Sequence, residues 1–223
     1  MMRHPRCVFD APFESHPHDV VASRVGTIVG ATHIVAGPFG GAYKFDGSDD
    51  YISYGSDNEL NITGAMTLEA WIRLDGTPDA TEGIVTKYST VGTSRQYKIG
   101  VDTNRRLVFL ASSDGSSSST KLWAGYANIA LTLGAWTHVA AAFTPSATPL
   151  LYVSGSAYPA VNYYGSVIPA SVHASATDLQ VGAYGGGTPY SIAAAIDEPR
   201  IWNVALSVRD IGRVMLGLPP LEV

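Results

Sequence analysis

Strand-length runs of β-branched and aromatic residues, each closed by glycine, proline, serine or Asn/Asp, follow one another along almost the whole chain. That pattern leaves little room for anything but a β protein. Strands are expected near residues 6–10, 27–35, 42–45, 51–54, 66–74, 83–88, 97–101, 107–112, 136–143, 150–153, 157–163, 178–183 and 192–202. Two of them, 66–74 and 136–143, are apolar at successive positions, so both of their faces should be covered. Turn signals at about 8–12-residue spacing point to a sandwich or jelly roll. One segment reads as helix. Ser207 stands three residues before Asp210, a variant of the capping box, and Val208, Ile211, Val214 and Met215 then share one stripe before Gly217, Pro219 and Pro220 end it. The serine-rich stretch 112–119 reads as a flexible polar loop between strands, and no internal repeat or linker divides the chain.

Composition narrows the function classes. At 223 residues the chain suits one large all-β domain, 1–223, with 216–223 as an extended C-terminal tail. Hydrophobic residues make up 46%, too many for a disordered chain, and charged residues only 15%, against roughly 25% in ordinary domains. The net charge of −5 supplies no cationic surface for phosphates, so nucleic acid is not an expected partner. A single cysteine, Cys7, forbids an intrachain disulfide and reads as an inert apolar residue. No run reaches the length of a membrane span. The basic start, Met1-Met2-Arg3-His4-Pro5-Arg6, is followed by no apolar stretch, so no export signal is visible.

Several segments together resemble a known family. Phe39-Gly40-Gly41-Ala42-Tyr43-Lys44-Phe45-Asp46-Gly47-Ser48-Asp49-Asp50-Tyr51 is similar to the opening motif of the laminin-G-like, concanavalin A-like jelly rolls. Thr67-Leu68-Glu69-Ala70-Trp71-Ile72 resembles the family's first long core strand, and Trp136-Thr137-His138-Val139-Ala140 its central tryptophan–histidine strand. Leu151-Tyr152-Val153-Ser154-Gly155 is similar to its hairpin, with Ser154 in place of the usual aspartate. Leu179-Gln180-Val181-Gly182 and Ile196-Asp197-Glu198-Pro199-Arg200-Ile201-Trp202-Asn203 complete the series in order. The resemblance runs from about Val8 to Ile211 and implies an all-β, two-sheet antiparallel jelly-roll sandwich with one short C-terminal helix. In such a fold Trp71, Trp136, Phe143 and Ile196 are expected between the sheets. First and last strands lie side by side, which is expected to bring the acidic turn near Asp197.

The superfamily includes glycoside hydrolases with alternating carboxylates on one strand, typically Glu-x-Asp-x-x-Glu, which put both acids in one groove. That spacing is missing here, and adjacent Asp197 and Glu198 point to opposite faces of a regular strand, so no catalytic residue is expected. Asp46, Ser48, Asp49 and Asp50 are hard oxygen donors within five residues and suit Ca²⁺; the alternative is a carboxylate-capped, solvated turn. The resemblance implies a structural Ca²⁺ site completed by Asp197, with Asp10 or Asp19 as further candidates. His16-Pro17-His18-Asp19 reads as a solvated loop rather than a metal dyad, and His138 as a satisfied core histidine. Trp123, Tyr163, Tyr164, Tyr184 and Tyr190 are the candidate ligand-binding aromatics, suited equally to stacking on sugars or packing against another protein.

Two functions remain open. One is a non-catalytic structural or adhesive protein of a virion (capsid decoration, fibre or tail) contacting capsid or tail proteins, glycans or further copies of itself; the apolar tail 216–223 would leave hydrophobic surface exposed unless it docks on the body or on a partner. The other is a Ca²⁺-dependent, lectin-like module of a secreted or surface bacterial protein. A glycoside hydrolase is the least favoured.

Overall fold

The computed structural model describes residues 4–185 and 190–221. In chain order the strands are β1 (Cys7–Asp10), β2 (His18–Asp19), β3 (Arg24–Val25), β4 (Thr27–Val29), β5 (Thr32–Gly37), β6 (Gly40–Asp46) and β7 (Tyr51–Ser53). Then come β8 (Met66–Leu74), β9 (Glu82–Tyr88), β10 (Arg95–Val101), β11 (Arg106–Ser112), β12 (Leu122–Ala130) and β13 (Trp136–Phe143). The series closes with β14 (Leu150–Val153), β15 (Ser156–Pro159), β16 (Val161–Tyr164), β17 (Gln180–Val181), β18 (Ala193–Trp202) and the helix α1 (Val208–Val214). One sheet runs β15-β14-β13-β8-β18-β6-β5, with β1 also on β18; the other runs β16-β12-β11-β10-β9-β17-β7-β4. Every ladder within them is antiparallel.

Period-two alternation builds the core. Leu68, Ala70, Ile72 and Leu74 of β8 face Tyr97, Ile99, Val101 and Phe109 of the other sheet within one buried cluster, joined by Phe143 and Ile196 as expected. Trp71 and Trp136 are not there. Both occupy the alternate positions of their strands and point outward, Trp71 against Phe39 at 6.3 Å and Trp136 donating to Ala36 O at 3.0 Å. The outer face of β8 and β13 is nonetheless covered. Helix α1 and its flanks bring Leu206, Ile211 and Val214 onto Ala140, Ala142, Tyr152 and Trp202. This is why β13 is apolar at successive positions; the outer positions of β8, Thr67, Glu69, Trp71 and Arg73, are covered but mostly polar, contrary to the expectation for that strand.

Three other expectations change. Residues 122–130 form a full strand, β12. Gly125 sits within it because a Cβ there would fall 2.5 Å from Trp123 Cη2. The stretch 157–163 divides into β15 and β16, and 27–35 into β4 and β5, on opposite sheets. The tail is also not free. Leu218 N donates to Arg213 O, Arg213 Nε to Pro219 O at 2.7 Å and Leu221 N to Asp210 Oδ1 at 2.7 Å, which folds residues 217–221 back on α1. The Ser207 N-cap is as expected: its hydroxyl accepts from Asp210 N and donates to Asp210 Oδ2.

Candidate functional site

The outward positions of the second sheet would ordinarily be polar, yet they carry an apolar, aromatic cluster of Tyr88, Val108, Leu110, Leu122, Ala124 and Tyr184, with Tyr126 beside it. Tyr184 follows β17 and stacks on Tyr190 at 4.7 Å and 17°, their backbones tied by Tyr190 N to Tyr184 O at 2.9 Å. Tyr88 meets Tyr184 edge-on at 5.3 Å. From β16, Tyr163 lies 6.0 Å from Tyr126, while Tyr164 stands opposite Ala124 and donates its hydroxyl to Ser117 O at 2.6 Å. That bond anchors the serine-rich loop to the sheet. Burial, with Asp102 adding, pushes Tyr163 up to about 12, and burial followed by Tyr88, Tyr190 and Tyr163 raises Tyr184. Tyr163, Tyr164 and Tyr190 remain 48%, 40% and 37% exposed, so their rings are available to a ligand.

Four of the five candidate aromatics therefore gather on one face. Trp123 does not. It takes the inward position of β12, is buried in the core and lies over Gly125. Alternation along Leu122-Trp123-Ala124 dictates this once the segment is a strand, and no strand is expected there from the sequence.

Beside the tyrosines, toward β17, β7 and β4, the same face opens into a cleft of about 720 Å³. Its walls include Asp49, Tyr51, Ser94, Thr177, Asp178 and Gln180, and Gly185 joins it to the Tyr184 end. Asp178 accepts from Ser53 Oγ at 3.0 Å. A ring flanked by hydroxyls, an amide and carboxylates can stack on one side of a polyol and hydrogen-bond its edge. Apart from Asp49, sequence reasoning missed these residues, although the alternation Tyr51-Ile52-Ser53 around buried Ile52 signals an outward Tyr51.

The acidic turn lies at the rim of this cleft. Asp46, Asp49 and Asp50 each place a carboxylate oxygen within 4.8 Å of the others. Asp50 Oδ2 accepts from Asp46 N at 2.9 Å and Asp46 Oδ1 from Ser48 N at 2.8 Å, with Gly47 at φ +85 making the reversal. Ser48 thus bonds to the turn through its amide. Burial raises Asp50, opposed by the Asp46 amide and reinforced by the charges of Asp46 and Asp49. Three hard oxygen donors around one centre fit a divalent cation such as Ca²⁺.

Asp197 is not part of that group. Ala193 is the ladder partner of Asp46, and Asp197 lies four residues further on, roughly 13 Å along the strand. It is fully buried on the outer side of the first sheet, where Oδ2 accepts from Phe39 N at 3.3 Å and Oδ1 has no partner among the described residues. Burial pushes its carboxyl up to about 7, the Phe39 amide opposing and Glu14 adding. Asp10 and Asp19 are likewise elsewhere, paired with Arg200 and Arg24. A bulge explains why Asp197 and Arg200, three apart, share a face: register breaks between them, and Glu198 takes φ +52.

On that first-sheet face Glu69 Oε2 accepts from His138 Nε2 at 2.9 Å and Oε1 from Trp202 Nε1 at 2.9 Å. Burial pushes Glu69 up, but His138, Arg200 and Trp202 outweigh it and hold the carboxyl low. Burial raises the nearby Cys7 thiol, which keeps it unreactive. Glu69 and His138 are buried on the sheet opposite the cleft, while Arg200, Trp202 and Cys7 line a separate pocket of about 410 Å³ beside α1.

The family profile described as the concanavalin A-like lectin/glucanases superfamily matches residues 46–212. Among solved structures, the binding domain of Paraclostridial Mosquitocidal Protein 1 superposes with a TM-score of 0.73 at 13% identity, covering 94% of this chain and 51% of that one. Domain 4 of AbnA, a GH43 extracellular arabinanase from Geobacillus stearothermophilus, in complex with arabinotriose, gives 0.68 at 17% identity over 93% and 97% of the two chains. Trypanosoma rangeli sialidase gives 0.68 at 16% identity over 96% of this chain and 33% of its own. This chain thus spans about half of the first protein's length, about a third of the sialidase and nearly all of the arabinanase domain. No curated protein matches the sequence.

Proposed function

This chain belongs to the concanavalin A-like lectin/glucanases superfamily, and we propose that it is a non-catalytic binding domain that holds carbohydrate on the outer face of its second sheet. The observation that carries this reading is the continuity of exposed tyrosine rings with a polar cleft. Tyr163 and Tyr190 offer ring faces for the C–H side of a sugar, and Asp178, Gln180 and Thr177 offer acceptors and donors for its hydroxyls. The fully buried Glu69–His138 pair supports the non-catalytic part, since substrate on this face would not reach it. The arabinotriose complex of the arabinanase domain makes arabino-oligosaccharides a sensible first probe.

Ca²⁺ is part of the proposal. Asp46, Asp49 and Asp50 would hold it, and because Asp49 also lines the cleft, the ion would supply a Lewis-acidic contact for sugar hydroxyls. Protein contacts are the second reading. Residues 25–43 carry no Lys, Arg, Asp or Glu, form the edges of both sheets through β4 and β5, and expose Val25, Ile28 and Val35. An uncharged edge is suited to adding a partner's strand. In that setting the domain is an adhesion module of a virion, meeting capsid or tail proteins or a second copy; display on a bacterial surface is the alternative.

A glycan array in Ca²⁺, followed by calorimetry, tests the principal reading. Binding that Tyr163→Ala and Tyr190→Ala weaken is the expected result. An array with no hits at high protein concentration overturns it.

A further inference from the structure

Tyr88 lies between two cations that no carboxylate pairs among the described residues. Lys98 projects outward from the middle of β10, and its Nζ sits 3.3 Å from the ring centre of Tyr184 and 4.7 Å from that of Tyr88. It is 2% exposed, and among the described residues it has neither an ion pair nor a hydrogen-bond acceptor. The guanidinium of Arg95 lies 5.9 Å from the ring centre of Tyr88, hydrogen-bonds the Tyr88 side chain and donates to the backbone carbonyls of Gly92, Thr90 and Gly115.

The neighbouring cations show what a satisfied charge looks like here. Arg106, over Tyr126 at 3.5 Å, is paired with Asp102 at 2.7 Å. Lys87, pointing inward from the adjacent strand, donates to Ser175 O and Thr177 O at 2.7 and 2.6 Å. Among the described residues, Lys98 Nζ meets only ring faces. Cation–π contact offsets part of the cost of a buried ammonium, and burial still drives its protonation equilibrium downward. An anion brought to this point would supply the missing partner and restore the full charge.

The face is polarised as well. Asp49 and Asp178 lie at the cleft end, with Asp46 and Asp50 beyond them, while Lys98 and Arg95 lie at the tyrosine end. Glu82 acts electrostatically on Tyr184, and burial lifts its carboxyl to about 7, so near neutrality it is only partly ionised and offsets the cations in part.

We infer that the sugar taken by this face is acidic, with a carboxylate or sulfate group placed at the tyrosine end to meet Lys98 and Arg95. This rests on the carbohydrate-binding reading and adds the charge of the ligand to it. Calorimetry on the full chain with a pentameric oligogalacturonide and its fully methyl-esterified form tests the charge at constant sugar. A sulfated galactan oligosaccharide and a neutral arabino-oligosaccharide are the further arms. The acid should bind about tenfold more tightly than its ester in low salt, and the gap should shrink severalfold in 0.5 M NaCl. Arg95→Gln and Lys98→Met should each bring the ratio of the two affinities toward one. Should Lys98→Met not fold, Arg95→Gln and the salt dependence decide.

If the sulfated ligand shows the preference and the oligogalacturonide does not, the anionic group is a sulfate; both outcomes support the inference. Neutral and esterified ligands binding as well as the charged ones overturn it and leave the carbohydrate reading standing. If none of the four binds, both fall.

Discussion

Asp197 stands four residues beyond Ala193, the residue that faces Asp46 across the β6–β18 ladder, and the two carboxylates consequently serve different places. Strand adjacency was the right inference, but adjacency fixes only the distance between strands. Register fixes position along them, and here it separates an exposed acidic turn from a buried acid under Phe39.

The acidic turn gives the first prediction. Adding millimolar CaCl₂ to chelator-treated protein should raise Tm by several degrees, because a ligand bound only to the folded state stabilises by mass action. Asp49→Asn should remove most of that rise, whereas Asp197→Asn should leave it. An unchanged Tm in both CaCl₂ and EDTA would reject the site.

Asp197 itself should make stability pH-dependent. Its folded-state value, about 7, lies above the unfolded one, so the folded chain holds the proton through this window and stability declines as pH rises from about 4 to 7. Because the group is fully buried, the decline approaches a few kcal/mol. Asp197→Asn should flatten that part of the profile, which denaturant melts at half-unit pH steps would reveal; an unaltered slope would contradict it.

Trp123 and Gly125 test the placement of the aromatics. Gly125→Ala forces a Cβ to within 2.5 Å of Trp123 Cη2 and should cost about 1–3 kcal/mol. Trp123→Ala should cost about 3–5 kcal/mol. Neither should matter through direct ligand contact, in contrast to Tyr163→Ala and Tyr190→Ala, which should weaken glycan binding roughly tenfold with little change in Tm. A folded Trp123→Phe variant that loses binding while the tyrosine variants retain it would reverse this assignment.

The Glu69–His138 pair should be structural. Glu69→Leu leaves His138, Trp202 and Arg200 without their shared acceptor and should destabilise by about 3–5 kcal/mol. A milder His138→Gln variant, if folded, should bind glycan with unchanged affinity. Loss of binding there would connect the two faces.

Much of the fold was legible because its signals are local. Strand-length apolar runs, the Ser207 cap and the doubly apolar β13 are written in consecutive residues. Segment 122–130 was not, because Ala124, Gly125, Ala127 and Ala130 are too small to announce a strand, and their size makes sense only beneath Trp123 and against the neighbouring strands. The tyrosines of the candidate face were legible as a set, since Tyr163, Tyr164, Tyr184 and Tyr190 sit at strand ends and loops. The cleft formed by Tyr51, Ser94, Thr177 and Asp178 was not, being assembled from three distant segments.

By itself the sequence determined the class of the protein: a two-sheet antiparallel sandwich, closed by a capped helix, with three of its 19 acids gathered in one turn. These follow from hydrophobic period, turn chemistry and capping, which act over a few residues. Only the tertiary structure decided which side chains face which way and meet. Alternation assigns a face only after each strand's limits are known, as Trp71, Trp123 and Trp136 illustrate. Bulges such as the one at Glu198 then reset the parity, so whether an acid or a ring lines a cleft is settled by register across the sheet.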